Sequence, residues 1–234
     1  MPNRAAGLLR THQYAVLLAL LLACIVLQSS GPQPGVAGIV ADVLMTVLGV
    51  TIFVVVFEHP GERTVAGVFV VGAVATGWAR HAFATHIPHA LLLAHQALNA
   101  VYFWITVGVI LRNLFRTPAV GAENVRGAIC GYLIAGAAWA SCNGLTYLLD
   151  PGAYTVDPKV AALLTDWHGR LALFSYYSFA QLLTIGYADV TPVRAPATTL
   201  SLLAALFGVF YTAVVVSQLV GMAQRGRGKA ADDS

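Results

Sequence analysis

Charge is scarce in this chain of 234 residues. Only 10% of the residues are charged and 58% are hydrophobic, against about 25% and about 45–50% for an ordinary soluble domain. This composition excludes a water-soluble globular protein. It also excludes a nucleic-acid-binding protein, because the affinity of such a protein requires a dense field of Lys and Arg.

Cysteine is equally sparse. Cys24, Cys130 and Cys142 all lie in apolar runs, so neither a disulfide framework nor a paired CxxC metal site is available. The four residues that end at Cys24 approximate a lipoprotein cleavage site. Apolar sequence continues beyond Cys24, and we therefore expect this first apolar run to be retained as a membrane anchor.

Long apolar runs make up most of the remaining sequence. A helix that crosses a bilayer needs about 20 mostly apolar residues, and six runs bounded by charge, Pro or Gly approach that length. They are Tyr14–Gln28, Val36–Phe57, Val65–Ala79, Ala90–Leu111, Gly127–Leu149 and Ala197–Met222. The sequence therefore predicts an all-α integral membrane protein with six transmembrane helices in the lipid bilayer.

The few Lys and Arg residues predict the orientation, because they concentrate in short cytoplasmic loops. With the N-terminus inside, nine lie on the cytoplasmic side and four outside: Arg4, Arg10, Arg63, Arg112, Arg116, Arg126, Arg225, Arg227 and Lys229 against Arg80, Lys159, Arg170 and Arg194. This asymmetry predicts a multi-pass protein of the inner or plasma membrane with both termini cytoplasmic. The connection between the fifth and sixth runs then lies outside.

A short apolar and aromatic segment, Leu171–Leu183, lies in that outer connection. It is too short to cross a bilayer, which predicts a re-entrant helix. The sequence Thr184-Ile185-Gly186-Tyr187-Ala188-Asp189 follows, and its glycine, together with Pro192, ends the helix. Non-helical backbone at membrane depth persists only where protein buries it or where it lines a wet cavity, so a polar pathway is predicted.

This segment resembles the pore module of tetrameric potassium channels, in which a pore helix and a Thr-x-Gly-Tyr-Gly-Asp loop lie between two spanning helices. The resemblance covers about Gly127 to Met222. It implies three parts of the chain: residues 1–126 as a four-helix membrane region, 127–222 as the pore domain, and 223–234 as a short cytoplasmic tail. It also implies a homotetramer, since one loop cannot surround an ion.

By this resemblance, Thr184, Ile185, Gly186 and Tyr187 supply oxygens that bind potassium ions, and the chain carries no other cofactor. Ala188, the last ion-binding residue of the filter that the resemblance implies, stands where the family has a second glycine. Alanine at positive φ costs about 1 kcal/mol, so a weakly selective channel for monovalent cations is the alternative to a potassium-selective one. Either protein conducts passively and is not an enzyme.

The resemblance implies further roles around this loop. Asp189 and Tyr177 would support the filter from behind. Gly208, near the middle of the last apolar run, matches the position of a gating hinge, although a glycine in a membrane helix is more often a close-packing site. The fourth run contains no Lys or Arg, so residues 1–126 lack the repeated arginines of a voltage sensor.

Asp42 is the one acid predicted at membrane depth in the first four runs, and such residues are functional candidates. His95 is predicted at a similar depth. We hypothesise that the two pair and, with His81, His86 and His89 in the adjoining outer loop, make activity respond to external pH. A structural hydrogen bond is the simpler alternative. A secondary transporter that uses Asp42 and His95 is the alternative from another class of protein.

Overall fold

The computed structural model describes residues 13–29, 35–83, 87–116, 122–186 and 189–232, and within them the chain is almost entirely helical. It contains seven α-helices: α1 (Gln13–Ser29), α2 (Val36–Val56), α3 (Pro60–Ala79), α4 (His89–Arg116), α5 (Ala122–Leu149), α6 (Trp167–Leu182) and α7 (Ala195–Asp232). Short 3-10 turns follow α3, follow α5 and precede α6. The predicted all-α class is thus confirmed.

A small antiparallel ribbon was not predicted. Strand β1 (Tyr154–Val156) pairs with β2 (Val190–Pro192), with Thr155 opposite Thr191. The ribbon joins the chain just before α6 to the chain just after the loop that follows α6. Both ends of the α6 segment are therefore held at one place.

Five helices are long and apolar enough to cross a membrane, namely α2, α3, α4, α5 and α7, and α1 is a shorter apolar helix. Several predicted bounds were too narrow. Helix α3 begins five residues before Val65, α4 continues to Arg116, and α7 begins at Ala195 and continues to Asp232. The prediction stopped helices at charged residues, but a charge near a helix end can reach water and does not end the helix.

Helix α5 is the central element, because it is the most buried of the five long helices. Its Ile134 and Ala135 are fully buried in a core shared with α1, α2 and α4. Large side chains fill this core: Leu17, Leu21, Ile52, Phe57, Tyr102 and Ile110. On the other side, Trp139 of α5 packs with Leu182 of α6 and Ala204 of α7. Helix α5 therefore connects the first four helices to α6 and α7.

Polar contacts fix the end of this bundle at which α3 begins. Arg112 of α4 donates to both carboxylate oxygens of Glu62 in α3. Glu123 of α5 binds Arg126 and accepts the Tyr14 main-chain N–H of α1 at 3.2 Å. The Glu62–Arg112 and Glu123–Tyr14 partners lie on different helices, so these two contacts set the lengthwise register of α3 with α4 and of α1 with α5.

Candidate functional site

Helix α6 begins at a side-chain cap. The Asp166 carboxylate accepts a hydrogen bond from the Gly169 N–H at 3.1 Å, which satisfies one of the free N–H groups of the first turn. A β-carbon on Gly169 would lie 3.0 Å from the Leu163 α-carbon. The helix therefore begins four residues before the predicted Leu171, at a point where only glycine fits against the preceding turn.

Helix α6 ends in a hydrogen-bonded reversal. The Leu183 N–H donates to the Phe179 carbonyl and the Ile185 N–H donates to the Ala180 carbonyl, both at 2.9 Å. Thr184 takes φ 55°, and no other non-glycine residue in the described part of the chain has positive φ. This arrangement is a Schellman-type cap, and it holds Thr184 in the left-handed region that glycine ordinarily occupies.

The loop after this cap is accessible in the single chain. Gly186 takes φ 68°, and Ile185 is 50% exposed. Thr184 and Gly186 both have positive φ. Their carbonyls therefore point in a different direction from those of an ordinary extended strand. Tyr187 and Ala188 lie outside the described residues, so their predicted roles stay predictions.

The far side of the loop is held by the ribbon. The Asp189 main-chain carbonyl accepts a hydrogen bond from the Asp157 N–H at 2.9 Å, next to the β1–β2 pairing. Tyr177 of α6 is buried, and its hydroxyl is hydrogen-bonded to Ser201 of α7. Tyr177 therefore joins α6 to α7 within one chain, and the support that Tyr177 and Asp189 give to a filter stays a prediction.

Gly208 lies where α7 crosses the end of α6. A β-carbon there would come within 2.9 Å of the Leu182 carbonyl carbon, which is backbone and cannot rotate away. The Tyr132 hydroxyl of α5 donates to the same Leu182 carbonyl oxygen at 3.1 Å. Three helices thus meet at the last residue of α6, and the close-packing role of Gly208 is evident. Its role as a gating hinge stays a prediction.

Asn143 of α5 links α6 to the ribbon. Its amide donates to Ser178 of α6 at 2.9 Å and its carbonyl accepts from the Tyr154 hydroxyl of β1 at 2.7 Å. Asn143 and Ser178 are fully buried. Burial also raises the pKa of the Tyr154 hydroxyl above its ordinary value, so this group stays a neutral donor.

Replacing Asn143 by Ala should lower the free energy of unfolding by about 1–2 kcal/mol, because two buried hydroxyls each lose a hydrogen bond. Unfolding of the purified protein in mixed detergent measures this change. Ser141→Ala is the control: the buried Ser141 hydroxyl donates to the Ala137 carbonyl of its own helix, and its loss should matter much less. Equal effects would contradict the linking role of Asn143.

A second polar group lies beside α6. Asp42 of α2 binds Arg80, which follows α3, and its second carboxylate oxygen lies 2.8 Å from His81 Nε2. His168, in the first turn of α6, lies 3.2 Å from the first oxygen. The Arg80 guanidinium also lies 4.9 Å from the centre of the Trp167 ring. We call Asp42, Arg80, His81 and His168 the Asp42 cluster.

The predicted pair between Asp42 and His95 is wrong. His95 Nδ1 lies 3.1 Å from both Thr76 Oγ1 and the Ala73 carbonyl, and Asn99 lies against its other nitrogen at 3.0 Å. The permanently charged Arg80 pairs with the Asp42 carboxylate, and His95 instead contacts α3. Among the other predicted histidines, only His81 contacts Asp42: His89 bonds to the Leu148 carbonyl at 2.9 Å, and His86 lies outside the described residues.

Sequence reasoning missed Arg80 and His168 as partners of Asp42. Arg80 was assigned to an outer loop, yet only 7% of its side chain is exposed. The sequence could have indicated Arg80, because a carboxylate in an apolar helix requires a cation and Arg80 directly follows the third apolar run. His168 had no such signal, since it lay in a connection whose fold the sequence did not predict. The role of Asp42 and His95 in a pH response stays a prediction.

Residues 154–225 match the sequence model of a family described as ion channel. The matched segment runs from β1 through α6 and its loop into α7. A search of curated proteins gave no match. The resemblance predicted for this segment is thereby confirmed, and with the five long apolar helices it supports a multi-pass membrane channel. The match does not favour a transporter that uses Asp42 and His95, and helices α1 to α5 lie outside it.

Proposed function

We propose that this chain assembles as a homotetrameric, potassium-selective channel of the cell membrane, with both termini in the cytoplasm. The observation that carries the proposal is the loop Thr184–Asp189, which lies in the matched segment directly after α6. Ions move down their gradient through this loop without any covalent step. The permeant species are monovalent cations.

The chemistry of the loop supports this function. A potassium ion gives up hydration oxygens only where protein oxygens replace them, and backbone carbonyls from four chains supply such oxygens. The positive φ of Thr184 and Gly186 is the local property that lets neighbouring carbonyls turn to one side. The C-terminal end of α6 adds a partial negative charge at the base of the loop, which favours a cation there.

Unpartnered apolar surface supports assembly. Leu183 and Ile185 are at least half exposed in the single chain, although they border the loop. Helix α7 has a row of exposed large apolar side chains: Leu202, Leu203, Leu206, Val209, Phe210, Val214 and Val216. An exposed apolar surface of this kind is typical of a contact with protein or lipid. Fourfold assembly around the loop would cover the part of this apolar surface that lies nearest Ile185.

Ala188 motivates the second candidate, a weakly selective cation channel. The family has glycine at this position, and an alanine at positive φ is strained by about 1 kcal/mol. A turned outermost carbonyl would remove one set of ion ligands. The two candidates differ only in how strongly potassium is preferred over sodium.

Bi-ionic reversal potentials of the purified channel in planar bilayers distinguish the two candidates. With potassium on the cytoplasmic side and sodium outside, a selective channel reverses well negative of zero. The reversal potential of Ala188→Gly should be at least as negative as that of the wild type, because glycine relieves the strain at this position. A wild-type reversal near zero contradicts potassium selectivity, and the absence of any unitary current contradicts the channel. Gly186→Ala, at φ 68°, is the matched variant that should lose conduction.

A further inference from the structure

A cavity of about 130 Å³ lies between helices α1 to α5 and α6. Its walls are mostly apolar, and Asp42 and Arg80 of the Asp42 cluster add charged groups to its lining. Apolar wall residues come from five different helices: Leu21, Leu48, Val70, Leu133 and Leu171. The volume is close to that of a protein cavity of about 150 Å³ that takes up benzene. A ligand the size of one aromatic ring therefore fits.

Gln96 of α4 gives this cavity a polar wall. The side chain is 7% exposed and its amide nitrogen lies against Gly144 of α5, and the hydrogen bonds among the described residues include none to its carboxamide. A carboxamide has two donors and an acceptor. An occupant that bonds to Gln96 would therefore gain hydrogen bonds that no described residue supplies.

The charges at the cavity indicate an uncharged ligand. The Asp42 carboxylate is already matched by Arg80 and contacts His81 and His168. A charged ligand would therefore enter a poorly hydrated space without a free counter-ion, which is strongly unfavourable. A hydroxyl group, by contrast, both donates and accepts, and so complements a carboxamide.

We propose that this cavity is a binding site for a small uncharged amphiphile of the aromatic alcohol class. The ligand hydroxyl bonds to the Gln96 carboxamide, and the ring lies among the apolar side chains of α1, α2, α3 and α5. Leu171, Ser175 and Phe179 of α6 form one wall, so the ligand touches the helix that ends at the Thr184 loop. Binding itself does not depend on the proposed conduction.

The test uses the full-length protein in lipid nanodiscs and a diazirine derivative of benzyl alcohol as the photoreactive probe. After illumination, mass spectrometry identifies the labelled residues, with and without excess benzyl alcohol. The expected result is saturable labelling of cavity residues such as Val70 and Leu171 that benzyl alcohol displaces. Toluene, which lacks the hydroxyl, should displace the probe about tenfold less well.

Three variants sharpen the test. Ala137→Leu adds bulk at a lining position and should abolish the saturable labelling. Gln96→Leu should weaken competition by benzyl alcohol about tenfold and leave competition by toluene unchanged. Gln13→Leu, the same substitution at a glutamine that lines a different cleft, should behave as wild type.

Specific outcomes overturn the proposal. Labelling confined to outward-facing residues such as Val43 and Val47 would contradict the proposal, and so would undiminished labelling in Ala137→Leu. Equal competition by toluene and benzyl alcohol in the wild type would mean that the space beside Gln96 holds only water. If Gln96→Leu does not give a monodisperse protein, the comparison of the two competitors in the wild type still decides. No outcome uses ion flux, so failure here is distinct from failure of the channel proposal.

Discussion

Replacing Asp42 by Asn should lower the free energy of unfolding by about 3–5 kcal/mol, because it leaves the Arg80 guanidinium buried without its counter-charge. Arg80 is 7% exposed and the Asp42 side chain 12% exposed, so water cannot compensate. The loss should also loosen α6, since His168 contacts the same carboxylate. Detergent unfolding followed by tryptophan fluorescence measures it, because Trp78 and Trp167 lie beside the cluster.

Two controls isolate the charge. Asp42→Asn combined with Arg80→Gln should recover most of the lost stability, because removing both members of a buried pair is far less costly than removing one. Asp150→Asn breaks the exposed pair with Arg194, where the side chains are 38% and 62% exposed, and should change stability by less than about 1 kcal/mol. If Asp42→Asn were as mild as Asp150→Asn, the pair would not hold the bundle together.

Replacing Gly208 by Ala should remove ionic current and lower the free energy of unfolding by up to about 3 kcal/mol, because the added methyl group overlaps the Leu182 backbone. The helix propensity of alanine acts in the opposite direction by about 1 kcal/mol. A measured loss therefore reports packing against α6. Because Leu182 directly precedes the residues that cap α6, the displacement reaches Thr184.

Gly108→Ala is the matched control, since a β-carbon at Gly108 would meet nothing within 4 Å. We expect this variant to be at least as stable as wild type and up to about 1 kcal/mol more stable, because only the helix propensity of alanine acts there. The two substitutions also separate the roles of Gly208. If Gly208 acts only as a hinge, Gly208→Ala should unfold like Gly108→Ala and differ solely in how often the channel opens. Equal stability of the two variants would contradict the packing role.

The features predicted well are those that repeat along the sequence. Apolar runs of sufficient length identified every long helix, because the backbone in a bilayer must satisfy its own hydrogen bonds. The loop after α6 was singled out because Thr184 and Gly186 belong to a short, specific motif, and the family match covers this loop. Helix bounds were less accurate, as the five-residue error at the start of α3 illustrates.

Features that depend on contacts between distant segments were not predictable. The sequence identified Asp42 as an acid within an apolar helix but offered several possible partners, and only the packing of α2 against the end of α3 selects Arg80. Gln96 is unremarkable in the sequence, and its importance arises because six helices leave a cavity at its side chain. Likewise, the left-handed conformation of Thr184 follows from the cap of α6 and not from its residue type.

The β1–β2 ribbon has a consequence for how the chain acquires its fold. Its pairing of Val156 with Val190 closes the segment from Asp157 to Asp189 into a loop of its own. Contacts between residues near in sequence form faster than distant ones. We therefore expect the segment to fold as a unit once α5 and α7 are inserted, so that in the proposed tetramer each subunit would bring a segment already closed by the ribbon.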